Sequence, residues 1–282
     1  MFGKMSKLVS VCIPVYNGEK YIGETIQSVL DQNYTNIEIL IQDNASTDGT
    51  WKLLQEYVRN YSNVSIQCNP RNYGMATNWN IVTSRAQGEY LLLLSADDTL
   101  DAEFLTRCLK MFAECDTDIV TTNHYYLRNG KRDPRPQLVP AGEYAYFAHL
   151  VLKNNPFSIN FTLFSRNAIH QLSHNGNLFR RRLLTCDYDL WLRVSFYRLR
   201  VCYLNECLAS YRMHSDNLSR QAKRMLRHTG LVILSHKKRL KESANIAYRM
   251  TILRFLYRYM RLVLKREYDP RMFRTLWCEL WR

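Results

Sequence analysis

Short apolar runs alternate with amphipathic stretches four times over the first 122 residues, and no other feature constrains the fold as much. Ser10 to Tyr16, Ile37 to Ile41, Val64 to Cys68 and Tyr90 to Leu94 each read as a strand that is apolar on both faces. Between and after them, residues 18–32, 50–60, 73–86 and 101–115 read as helices. In the first of these, Ile22, Ile26 and Val29-Leu30 form one stripe. Asp118 to Thr122 begins a further strand. Strands of this kind joined by helices predict an α/β fold, a mostly parallel sheet with helices on both faces.

After Tyr126 the rhythm breaks. Arg128 to Pro140 contains Pro134, Pro136 and Pro140 and reads as a loop. Tyr144 to Lys153 reads as a helix, Phe157 to Phe164 as a strand and residues 186–198 as a helix. Strand pieces follow at 200–204 and 208–212.

A chain of 282 residues with 46% hydrophobic and 23% charged residues buries a full core without staples and is not a disordered sequence. No apolar run approaches the ~18 residues of a membrane span. Leu8 to Val15 leads into Tyr16-Asn17-Gly18 rather than a cleavage site, so a signal peptide is not expected. The eight cysteines form no C-x-x-C pair and are expected as reduced, largely core residues of a cytoplasmic protein.

Charge divides the chain. Residues 222–282 hold 16 Lys/Arg against 4 Asp/Glu, a net of +12, while residues 1–221 hold 23 against 21, a net of +2. The expected organisation is a working domain over 1–221 and a basic, amphipathic, helical C-terminal region over 222–282. In that region Arg254, Arg258, Arg261 and Lys265 form a basic stripe beside an apolar one at Leu253, Leu256, Met260 and Val263. Such a pair of stripes fits an anionic membrane surface, or packing on the domain, better than nucleic acid, which is not an expected partner.

In an open α/β sheet ligands bind beyond the carboxyl ends of the strands. The residues there are Pro14, Tyr16 and Asn17, then Asp43, then Arg71 in Asn69-Pro70-Arg71-Asn72, then Asp97 and Asp98. Neither G-x-G-x-x-G nor G-x-x-x-x-G-K-S/T occurs, which disfavours the usual dinucleotide and P-loop modes. Adjacent carboxylates repel unless they diverge or share a cation, and hard divalent ions take carboxylate oxygens together with substrate phosphates. On position alone, Asp97 or Asp98 binds such a metal or caps the next helix. Asp43 is equally readable as a turn former and Asp187 as a helix cap.

The runs V-S-V-C-I-P-V-Y-N-G-E-K-Y-I (9–22), I-L-I-Q-D-N-A-S-T-D-G-T (39–50), N-Y-G-M-A-T-N-W-N (72–80) and G-E-Y-L-L-L-L-S-A-D-D (88–98) resemble the nucleotide-sugar half of family-2 glycosyltransferases. T-C-D-Y-D-L-W-L-R (185–193) and Y-R-M-H-S-D-N-L-S (211–219) resemble the acceptor half, so the likeness spans about residues 8–220. The resemblance implies the GT-A fold, with residues 1–100 as nucleotide-sugar half and 101–221 as acceptor half. It implies inverting transfer from a nucleotide-diphosphate sugar, a UDP-sugar favoured, to a glycan or lipid-linked acceptor, in polysaccharide or glycan assembly. It places Pro14, Tyr16 and Asp43 in the nucleobase pocket, with Asn17 and Arg71 nearby. Asp97, Asp98 and His214 fall at the Mg2+ or Mn2+ site, Arg212 at the diphosphate, and Asp187 at the catalytic base, with Asp189 structural. Two departures stand out: Ser95 where the family's D-x-D motif has its first carboxylate, and Cys186 before Asp187. They leave open a nucleotide-sugar-binding module without catalysis. The implied location is the cytoplasm, with the inner face of the membrane as a peripheral site.

Overall fold

Every residue of Val9–Val15 (β1) is buried, as a strand covered on both sides must be. The structure, a computed structural model, describes residues 7–264 except 216 and 218–220, together with 274 and 278, and gives the backbone alone for 259–264. β1 pairs in parallel with Ile37–Asp43 (β2) and Tyr90–Leu93 (β4), and β2 pairs in parallel with Val64–Cys68 (β3). The intervening helices are Ile22–Leu30 (α1), Thr50–Asn60 (α2) and Met75–Ser84 (α3). α1 buries Ile22, Thr25, Ile26 and Val29; of the stripe read from sequence, Leu30 is only half-buried, and Thr25 joins the buried face. β3 departs from the expected pattern: it is the edge strand, and only Val64 is buried.

Beyond β4 follow Thr99–Leu100 (β5), Phe104–Glu114 (α4), Ile119–Arg128 (β6), Lys131–Pro134 (β7), Gly142–Tyr144 (β8), Ala148–Asn154 (α5), Thr162–Ser165 (β9), Arg166–Leu172 (α6), Cys186–Phe196 (α7) and Val201–Arg212 (β10). The sheet order is β3-β2-β1-β4-β9-β6-β10-β5, with β7 on β6 and β8 on β10. β9 runs antiparallel to both β4 and β6, so it divides a parallel half from a mixed half.

Four readings of this second half are corrected. Residues 128–140 are not all loop: β7 closes a hairpin with β6 across Asn129-Gly130, both at positive φ (48° and 79°). That dipeptide is a hairpin signal, and Pro134 is tolerated on an outer strand. The strand starts at Thr162 rather than Phe157, because 159–161 form a 3-10 turn. The helix starts at Ala148 because Gly142–Tyr144 pairs with β10. The two pieces at 200–212 are one strand, irregular between Leu204 and Ser210.

Ala222–Ser235 (α8) and Lys237–Leu264 (α9) complete the described chain, α9 being broken at Ala244 (φ −148°, ψ 39°). No helix among the described residues is long and apolar enough to cross a membrane. Val232, Ile233, Leu240, Tyr248, Ile252, Phe255 and Leu256 join one core with Val151 and Leu152 of α5 and Trp191 of α7. Thr251 Oγ1 donates to Leu152 O at 3.3 Å. The apolar stripe expected in this region spans two faces, since Leu256 is buried and Leu253 is exposed. Arg254 and Arg258 are exposed. Lys265 and the side chains of Met260, Arg261 and Val263 lie outside the described residues.

Asp189 ties these layers together. It is fully buried and accepts from Arg193 Nε at 2.9 Å, Arg180 Nη1 at 3.1 Å and His236 Nε2 at 2.9 Å. Burial pushes its carboxyl up, but the bond from His236 and the charge of Arg193 outweigh this and hold it below the usual carboxylate range. The resulting stabilisation is full above the unfolded value of about 3.9 and is lost as pH falls through the lower folded value. Asp189→Asn leaves Arg193, only 13% exposed, without its counter-charge. It is expected to cost about 3–5 kcal/mol, a Tm lower by roughly 5–15 °C in a calorimetric or fluorescence melt.

Candidate functional site

The carboxyl ends of the parallel strands β1, β2 and β4 lie at one edge of the sheet, where ligands of open α/β sheets bind. At the end of β1, Pro14 is buried within the strand beside Gln42, while Tyr16 stands out at 49% exposure. Asn17 adopts φ 52° and acts as a strut: its N–H donates to Ser46 Oγ (2.8 Å) and its Oδ1 accepts from Thr47 N (2.8 Å). Gly18 follows because a Cβ there would meet Val15 Cγ2 at 2.5 Å. At the end of β2, Asp43 is fully buried. Its Oδ1 accepts from Ser46 N (3.0 Å) and Ser46 Oγ (2.6 Å), and its Oδ2 lies 3.8 Å from Cys68 Sγ. Asp43 thus holds the Ser46 turn with Oδ1, while its Oδ2 accepts from the Cys68 thiol on β3. Arg71 is exposed, its guanidinium 5.4 Å from the Tyr73 ring centre.

An amide network fixes the floor beneath. Gln42 donates to Asn69 Oδ1 (3.0 Å), Asn69 donates to Asn44 Oδ1 (2.9 Å) and Asn78 Oδ1 (2.8 Å), and Asn78 donates to Gln42 O (3.0 Å). Sequence reading passed over this network, although Asn44, Asn69 and Asn78 all sit within the runs quoted above.

The adjacent carboxylates diverge. Asp98 is fully buried; its Oδ1 accepts the Arg212 N–H (3.0 Å) and its Oδ2 accepts Asn160 Nδ2 (2.8 Å). Burial, and then the neighbouring Asp97, hold the Asp98 carboxyl well above the usual range. Asp97 is partly open, and its Oδ2 lies 2.8 Å from His214 Nε2. Asn217 holds this pair: its Nδ2 donates to Asp97 Oδ2 (3.4 Å) and its Oδ1 accepts the His214 N–H (2.6 Å). The Tyr21 ring lies 5.1 Å from that of His214 and packs under the Arg212 guanidinium at 4.7 Å. Arg212 also donates from Nε to Asp97 O (2.8 Å) and pairs with Glu24. Asn217, Tyr21 and Glu24 were not singled out from sequence. Asn217 lay three residues beyond His214 in the same motif, so its spacing was the available signal.

An octahedral Mg2+ or Mn2+ with ligands at about 2.1 Å sets neighbouring donors about 3.0 Å apart. The 2.8 Å between Asp97 Oδ2 and His214 Nε2 matches such an edge in length, and the Asp97 carboxylate oxygen is the kind of donor these hard ions prefer. Among the described residues no cluster of three His, Cys, Asp or Glu exists.

Asp97 and Asp187 line the same cavity of about 480 Å³, together with Ser95, Trp79, His124 and Asn217. Asp187 lies in the first turn of α7. Burial raises its carboxyl above the usual range against the opposing bond from the Tyr188 N–H. Cys186 points instead into the core. Burial, with Arg135 nearby, pushes His124 down to about 3, so it stands neutral in the cavity wall. Of Arg180-Arg181-Arg182, Arg180 is committed to Asp189 and Ser235, and Arg181 donates to Asn177 Oδ1.

The sequence pattern described as Glycosyl transferase family 2 matches residues 10–186. TuaG of Bacillus subtilis, a glycosyltransferase named for teichuronic acid biosynthesis, is 31% identical over 212 residues, 75% of this chain and 81% of its own. S. aureus TarS, solved with UDP-GlcNAc, superposes with a TM-score of 0.72 over 96% of this chain and 79% of that one, at 17% identity. The mannosyltransferase PcManGT of Pyrobaculum calidifontis, solved with GDP-Man and Mn2+, gives 0.62 over 99% of this chain and 86% of that one, at 13% identity. These superpositions establish the GT-A fold for the present chain.

Proposed function

The chain belongs to glycosyl transferase family 2, and from that premise we propose an inverting transfer from a UDP-sugar to an acceptor hydroxyl in cell-surface polysaccharide assembly. The acceptor is a glycan or a lipid-linked glycan, and the working domain is residues 1–221. The observation that carries the reading is that Asp187 and Asp97, the latter bonded to His214, line one cavity beyond the end of β4.

The nucleobase lies against Tyr16 near Pro14, and Asp43 Oδ2 accepts the imide N–H of uracil once the Cys68 thiol that now meets it turns aside, which favours UDP. Arg71 is placed to meet the base or phosphates from the exposed side. Asp97 and His214 would hold the divalent cation, which would neutralise charge on the leaving diphosphate. Asp98 braces Asp97 from behind by pinning Arg212 and Asn160. Arg212 adds positive charge at the same end. Inversion requires attack from the face opposite the leaving group. Asp187 takes the acceptor hydroxyl proton as the new glycosidic bond forms, and its raised proton affinity suits that role.

We place the enzyme in the cytoplasm, where eight free cysteines are at home, and peripherally at the inner face of the membrane. The rival reading, a binding module without catalysis, draws on Ser95 in the cavity wall. Titration with UDP, with and without Mn2+, and hydrolysis of a panel of UDP-, GDP- and dTDP-sugars decide between them. The expected result is UDP binding that tightens with Mn2+ and turnover of a UDP-sugar. Binding without turnover of any donor would favour the module.

A further inference from the structure

The second half of α9 has two apolar faces where a helix packed on a domain needs one. The inner face, Tyr248, Ile252, Phe255 and Leu256, is buried against the acceptor half. The outer face carries Ile246 (82% exposed), Met250 (48%), Leu253 (45%) and Tyr257 (59%). At 3.6 residues per turn, spacings of 4, 3 and 4 confine these four to an arc of about 60°. Arg249 flanks the arc on one side and Arg254 and Arg258 flank it on the other, all three exposed. Between residues 222 and 264 the chain holds eleven Lys/Arg and a single acidic residue, Glu242.

Single exposed apolar residues are ordinary, but an unbroken stripe of them marks a surface that something covers. The flanking charges select the occupant. Nucleic acid would pair with the arginines and leave the apolar ridge in water. A second copy of the helix would bring arginine rows against arginine rows. An anionic bilayer surface satisfies both, with the ridge entering the acyl boundary and the guanidinium groups meeting phosphates on either side.

We propose that the outer face of α9, centred on Ile246, Met250, Leu253 and Tyr257 and flanked by Arg249, Arg254 and Arg258, docks the enzyme on an anionic membrane surface. This gives the peripheral location above its contact face and does not depend on catalysis. The helix is fixed to α5 through Thr251 and Leu152, and its start is fixed to α7 through His236 and Asp189. The docked face therefore has a set orientation relative to Asp187.

The test is co-sedimentation of the full chain with vesicles of phosphatidylcholine alone or of equimolar phosphatidylcholine and phosphatidylglycerol. Binding is expected to the mixed vesicles only. In 1 M salt, where screening falls to about 3 Å, binding weakens without vanishing because the apolar part remains. Met250→Glu combined with Leu253→Glu abolishes binding. Arg254→Ala and Arg258→Ala each weaken it by about five-fold. UDP affinity and melting temperature, followed in parallel, stay at wild-type values. Failure of the wild type to bind mixed vesicles overturns the proposal. So does a dimer in size-exclusion that the double glutamate variant dissociates, because the face would then join two copies. Vesicle binding by a protein that does not bind UDP counts against the transferase reading and supports this one.

Discussion

Asp187→Asn lowers the rate of sugar transfer by about 10²–10⁴-fold while UDP binding survives. The substitution keeps the shape of the first turn of α7 and removes the proton acceptor from the cavity that Asp97 also lines. Burial raises the Asp187 carboxyl. A base works only when deprotonated, so the acid limb of the wild-type rate profile lies above the ordinary aspartate value of about 3.9. That limb disappears in the variant. Asp189→Asn is the control, because Asp189 is sealed behind Arg193, Arg180 and His236 and acts through stability. Assayed well below its melting temperature, it should retain turnover. An inactive, well-folded Asp189→Asn beside an active Asp187→Asn would reverse the two roles.

Asp97→Asn lowers turnover by at least ~10²-fold, equivalent to ~2.7 kcal/mol of barrier, and chelation of the wild type does the same. Mn2+ affinity, measured by titration in the presence of UDP, falls with it and falls again in His214→Ala. Asp98→Asn behaves differently. Its amide would face Asn160 Nδ2 where the carboxylate oxygen now accepts at 2.8 Å, so a buried bond is lost and the melting temperature drops. A fall in Mn2+ affinity with Asp98→Asn and none with Asp97→Asn would transfer the metal to Asp98.

The parallel half of the fold was legible because covered strands must be apolar on both faces, and β1, β2 and β4 are. The mixed half was not, because Pro134, Pro136 and Pro140 give this stretch the composition of a loop while Asn129-Gly130, at positive φ, closes the β6–β7 hairpin. Sequence brought Asp97 and Asp98 to the right strand end but could not separate them. What separates them arrives from far along the chain, Asn160 from the 3-10 turn and Arg212 from β10. Asn17 also braces the Ser46-Thr47 turn, a local role that its place at a strand end does not reveal. The stripe in α9 was misjudged for a related reason. Periodicity finds apolar residues on a helix, but which of two apolar faces turns inward depends on α5, which periodicity does not see.

The hold of α8 and α9 on α5 and α7 decides how this enzyme can be taken apart. Composition draws a sharp line near residue 221, and a chimera-maker reading charge alone would cut there. That cut strips His236 from Asp189 and bares the flank of α5 on which α9 lies. The basic helices are therefore not a detachable cassette to be swapped between transferases for a new cellular address. Retargeting by recombination has to carry α5, α7, α8 and α9 across together, and readdressing in place has to be confined to the outward side chains of α9.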